Sequence, residues 1–96
     1  MKVVYIVSSD NVHKAEEVLK KDDLVSRGSI TIRLATTLEI KEDGYFIVLD
    51  GNEDALKIAD ELLKGLAEKY KDSEIVLKKI QEQENKAIEG FGNILG

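Results

Sequence analysis

Apolar and polar positions divide this chain into segments of two different periods. "KVVYIVSS" (2–9) is an unbroken run of β-branched and aromatic residues, the pattern of a strand covered on both faces. "DNVHKAEEVLKKDD" (10–23) changes period. Val12, Ala15, Val18 and Leu19 share one helical stripe, Glu16–Lys20 and Glu17–Lys21 stand four apart on the wet side, and Asp10 or Asn11 is placed to cap the first turn. Asp22 and Asp23 sit badly at the negative end of that helix, so either it stops before them or they serve something else. "SITIRLATTLEIK" (29–41) alternates. Its even positions Ile30, Ile32, Leu34, Leu38 and Ile40 are apolar and its odd ones almost all polar, which predicts a half-buried edge strand. "EDG" (42–44) signals a hairpin turn, and "YFIVLD" (45–50) reads as a second doubly covered strand.

Residues 52–71 carry the strongest helical stripe, through Leu56, Ala59, Leu63, Leu66 and Tyr70. Gly65 inside it predicts a close helix–sheet contact. "SEIVLKKI" (73–80) reads as a fourth strand, and the tail 82–96 carries Ala87, Ile88, Phe91, Ile94 and Leu95 at helical spacing, interrupted by Gly90 and Gly92. The order β–α–β–β–α–β in a single domain, 1–96, predicts an α+β fold: a ferredoxin-like βαββαβ two-layer sandwich, antiparallel sheet order 4-1-3-2, with an extra C-terminal segment.

This architecture raises a question of cover. Two helices hide one sheet face only, yet Val3, Tyr5 and Val7 oppose Val4 and Ile6 on the first strand, and Tyr45, Ile47 and Leu49 oppose Phe46 and Val48 on the third. An apolar set of several hundred Å2 left bare usually marks an interface. The expected interface residues are Tyr5, Val7, Tyr45, Ile47 and Leu49 with Phe91 and Ile94 of the tail, and the expected covers are the tail itself or a second copy of the chain, ahead of a ligand.

Composition narrows the function. Fourteen basic against nineteen acidic residues give a net charge of −5, with only Arg27 and Arg33 able to fork onto phosphate, so nucleic acid is not an expected partner. No apolar run approaches the ~18 residues of a membrane span, and no membrane association is expected. Cysteine is absent, which removes thiolate, disulfide and zinc-finger chemistry and leaves the cytoplasm as the expected location. Abundant Lys and Glu with one Met match the compositional bias of thermophilic proteins.

Candidate chemistry is sparse. Asp50, Asn52, Asp54 and Glu61 occupy positions one, three, five and twelve of a calcium loop, but position six is Ala55 where the turn needs Gly. A helix from Asn52 would also hold Asp54 and Glu61 ~10 Å apart. Asn52 therefore reads as a cap, leaving Asp50, Glu53 and Asp54, or Asp22 and Asp23, as the candidate site for a divalent cation. The junction "VSSDNVH" gathers Ser8, Ser9, Asp10 and His13 at the end of a central strand, the candidate site for a small molecule. No serine has a base or oxyanion hole arranged around it in sequence. The expected function is a non-enzymatic, self-associating domain, regulatory or ligand-binding at a subunit boundary and needing no cofactor. Divalent-cation binding is the alternative, and an inter-subunit enzyme site using His13 and Arg33 comes last.

Overall fold

The structure, a computed structural model, describes residues 1–95, with side chains described for residues 1–85. Its elements are β1 (Lys2–Val7), α1 (Val12–Lys21), α2 (Asp23–Arg27), β2 (Ser29–Leu34), a 3-10 turn (Ala35–Leu38), β3 (Tyr45–Asp50), α3 (Glu53–Leu62), β4 (Ala67–Lys69) and α4 (Ser73–Leu95). The class is α+β. The sheet runs β2-β3-β1-β4, or 4-1-3-2 from the other edge, and each neighbouring pair is antiparallel. β1 and β3 stand at the centre, as their unbroken apolar runs require.

Three local rules shape the helical layer. α1 ends at Lys21, and Asp22 is the N-cap of α2, its carboxylate accepting from the backbone N–H of Leu24 at 2.9 Å and Val25 at 3.1 Å. The two aspartates that ill suit a helix end thus begin another helix. α3 starts on Asn52, whose side chain accepts from the Ala55 N–H at 2.8 Å, and Glu53 and Asp54 complement the positive end of the helix dipole. It stops at Leu62, not at 71. A turn closed by the Leu66 N–H on the Leu63 carbonyl (2.9 Å) holds Gly65 at φ +79°, and the chain then extends into β4. The expected close contact at Gly65 does not exist, because no atom lies within 4 Å of where a β-carbon would stand. The glycine is there for its backbone conformation. The close approaches belong to Gly28, where a β-carbon would run into the Asp50 carbonyl, and Gly44, where it would meet the Val7 carbonyl.

The second face departs furthest from expectation. Residues 73–80 are the first turns of α4, not a strand, and β4 comes from 67–69. A strand reading of 73–80 puts Lys78 beside Val76 and Ile80, and Lys79 beside Ile75 and Leu77, so neither face is clean. A helix gathers Val76, Leu77 and Ile80 on one stripe and leaves Ile75 exposed. β2 also ends early, at Leu34. The Thr36 break in its alternation marks the 3-10 turn that carries Ala35, Leu38 and Ile40 to the opposite sheet face, and 39–44 form a longer loop instead of a tight hairpin.

Two cores result, one on each side of the sheet. Tyr5, Val7, Ile47 and Leu49 pack with Ala15 and Leu19 of α1, Val25 of α2, Ala59 of α3 and Leu63 just after it. Val4, Phe46 and Val48 pack with Ala35 and Leu38 and with Val76 and Ile80 of α4. The chain covers both faces itself. We expect Gly65→Ala to cost about 1 kcal/mol through its positive φ alone, and Gly28→Ala to cost more, because the backbone at Asp50 must move. Urea unfolding of both variants measures the difference, and equal losses would contradict the assignment of a close approach to Gly28.

Candidate functional site

β1 ends at Val7, and the turn that follows is closed by backbone groups. The Ser8 carbonyl accepts from the N–H of Asn11 and of Val12, each at 3.0 Å, and α1 has no side-chain cap. Neither Asp10 nor Asn11 caps it as expected. At this end of the sheet an open cleft of about 380 Å3 is lined by Ser8, Asn11, Asp43, Leu66 and Glu68. Its ionisable lining is entirely acidic. Of the expected ligand residues only Ser8 lines this cleft, while Ser9, Asp10 and His13 are exposed beside it.

The candidate cation residues do not converge. Asp50 lies 3.4 Å from the Met1 amino group, Glu53 lies 3.8 Å from Lys57, and Asp54 occupies the first turn of α3. Among the described residues no group of three or more His, Asp or Glu side chains could hold a metal ion. His13 and Arg33 are likewise not assembled into one centre: His13 is exposed on α1, and the Arg33 guanidinium donates to the Ile32 carbonyl at 3.1 Å.

The expected interface set is largely internal. Tyr5, Val7, Ile47 and Leu49 are buried beneath the helices and Tyr45 is half-buried against the same core. This face was expected to need an outside cover, and it is the one that α1, α2 and α3 cover. Phe91 and Ile94 lie outside the residues whose side chains are described.

One phenol forms a polar link that no local pattern announces. The Tyr5 hydroxyl donates to Asp60 Oδ1 at 3.1 Å, and Lys69 Nζ approaches the same oxygen at 3.8 Å, joining β1, α3 and β4. Burial first, then the hydrogen bond and the charge of Asp60, push the Tyr5 phenol well above its ordinary value. Tyr70 stands edge-on to Phe46, ring centres 4.8 Å apart, and its phenol is raised by burial and by the Glu42 carboxylate. Sequence separation hides the Tyr5 link, since Tyr5 and Asp60 are 55 residues apart. On α1, Lys21 Nζ donates to Glu17 at 2.7 Å and lowers that carboxylate, the local pair expected from the four-residue spacing.

What remains accessible is a sheet edge. β2 is bordered by β3 on one side only, whereas the opposite edge strand, β4, is three residues long with Glu68 and Lys69 exposed. Leu34 of β2 and Leu24 of α2, the helix leading into it, are two of four large apolar side chains exposed among the described residues. No described helix is long and apolar enough to cross a membrane. Compared with known proteins, the chain matches no family model, no curated protein and no solved structure.

The raised phenols set a pH dependence. A phenol that ionises less readily in the folded state stabilises it fully below the unfolded value of about 10, and that contribution falls as pH rises above it. We expect unfolding free energy to decline in this alkaline range and Tyr5→Phe to flatten the decline, as measured by urea unfolding at stepped pH. An unchanged slope in Tyr5→Phe would remove Tyr5 from the account.

Proposed function

We propose that this chain is a non-enzymatic, self-associating cytoplasmic domain whose working surface is the open edge of β2. The observation that carries the reading is the contrast between its two edges. Soluble proteins blunt edge strands with short length, charge, proline or bulges. β4 is short and two of its three residues are charged, but β2 runs six residues, pairs with β3 in unbroken register and carries Arg33 as its single charge. The sheet faces are not the surface in question, since α4 packs Val76 and Ile80 over the second one.

The run of strands and helices, with the sheet order 4-1-3-2, supports taking the domain as a ferredoxin-like arrangement to which α4 is added as a third layer. Association along β2 would bring the sheets of two copies side by side and leave the acidic cleft near Ser8 outside the contact. A small polar or cationic molecule is the ligand class that the Asp43 and Glu68 lining favours there.

Sedimentation velocity across a range of concentrations tests the reading, on the full chain and on a chain lacking 82–96. The expected result is a dimer or larger species in both, because β2, β3 and the packed turns of α4 remain. A monomer at every concentration sinks the reading. A monomer only after truncation transfers association to the tail and withdraws the support of the edge.

A further inference from the structure

The backbone of β2 specifies how a second copy would meet it. In an antiparallel pair the N–H and C=O of one residue point to the same side, and successive residues alternate sides. The Ala35 N–H donates to the Gly44 carbonyl at 3.0 Å, in line with the β2–β3 register that sets Leu34 opposite Tyr45. The odd residues Arg33, Thr31 and Ser29 therefore spend their backbone groups on β3. Those of Ile30 and Ile32 and the Leu34 N–H point out of the sheet, while the Leu34 carbonyl accepts from the Thr37 hydroxyl at 2.6 Å. The Arg33 guanidinium agrees with this phase, since it donates to the Ile32 carbonyl, a group that β3 leaves unused.

We propose that two copies of this chain join β2 to β2, antiparallel, about a two-fold axis passing between the two Ile32 residues. The proposal rests on the self-association inferred above and names its seam. A two-fold normal to the sheet keeps each face on its own side, so residues opposite one another must share parity. Centring on Ile32 pairs Ile32 with Ile32 of the partner subunit and Ile30 with Leu34 of the partner subunit, so both Ile32 backbone groups, the Ile30 carbonyl and the Leu34 N–H find partners, while the Leu34 carbonyl stays with the Thr37 hydroxyl. Centring on Thr31 instead sets exposed Leu34 opposite Gly28, which has no side chain to cover it and whose N–H already bonds the Val25 carbonyl at 3.2 Å. Centring on Arg33 sets like charges face to face.

Side chains on both faces suit the Ile32 centre. On the helix side, Ile30 and Ile32 already pack against the core, and exposed Leu34 gains Ile30 of the partner subunit as its neighbour. On the other side, Arg33 comes opposite Thr31 of the partner subunit. Thr31 lines a cleft with Lys2, Asp50 and Glu84; Asp50 is already 3.4 Å from the Met1 amino group, so Glu84 is the carboxylate the seam offers Arg33 in place of the Ile32 carbonyl. Among the described residues Arg33 makes no ion pair within one copy. A second copy thus supplies the apolar ladder, the hydrogen-bond partners and the opposite charge together.

The chain has no cysteine, so single-cysteine variants report the register cleanly. Opposed residues of a hydrogen-bonded antiparallel pair stand about 5.5 Å apart at Cα, within disulfide reach. Under oxidised glutathione, Ile32→Cys should give a covalent dimer and Thr31→Cys should not. Leu34→Lys, at an exposed position, should weaken dimerisation roughly tenfold or more in sedimentation, with the circular dichroism spectrum retained. Ready cross-linking of Thr31→Cys but not Ile32→Cys overturns the register. A dimer unmoved by Leu34→Lys and uncross-linked by Ile32→Cys overturns the seam while leaving self-association standing. A wild-type chain that stays monomeric overturns both.

Discussion

The two-sided burial of the β1–β3 pair is the constraint from which the remaining architecture follows. Both strands carry large apolar side chains on both faces, and a six-residue strand so composed cannot leave either face in water without losing roughly 1.5–3 kcal/mol for each large side chain exposed. The molecule meets this with three layers. α1, α2 and α3 lie over Tyr5, Val7, Ile47 and Leu49, while the 3-10 turn and α4 lie over Val4, Phe46 and Val48. The early end of β2, the stop at Gly65 and the brevity of β4 serve that arrangement. Each frees chain at the point where it must cross to the other side.

Covering both faces shifts the question of function from the faces to the edges. A closed pair of cores with no buried polar or charged residue among the described side chains keeps its polar chemistry at the surface. There the groups are mostly engaged in structure. Asp60 binds Tyr5 and Lys69, Asp22 caps α2, Asn52 caps α3 and the Ser8 carbonyl closes the start of α1. The two sheet edges are unequal, and the longer one has outward backbone groups in the phase that antiparallel self-pairing uses. The same loop after β2 that brings Leu38 onto the second face also fixes that phase, through Ala35 and Gly44.

Some of this was readable before any coordinates. The β3 segment 45–50, the Asn52 cap and the central placement of β1 and β3 came from local rules, namely apolar continuity, side-chain acceptors before a helix, and the burial of parallel-looking runs. The errors have equally local causes. Leu63, Leu66 and Tyr70 step by three and four through Gly65, so the stripe predicted one helix where positive φ ends it. Leu38 and Ile40 keep even parity by coincidence, because they reach the second face through a turn. The Lys78 and Lys79 pair could have corrected the reading of 73–80, since a strand would bury one of them.

The sequence by itself determined which segments are greasy on one side, which on two, and where short polar side chains can begin a helix. Those properties reside in residues a few positions apart. Tertiary structure decided which face each helix covers, that α4 removes the need for an outside cover, and that Tyr5 meets Asp60. These depend on the path of the chain between distant segments, which composition and periodicity leave open. The direction of the free hydrogen bonds on β2 belongs to the second kind. Alternation says that half of them point outward, and only the register with β3 says which half.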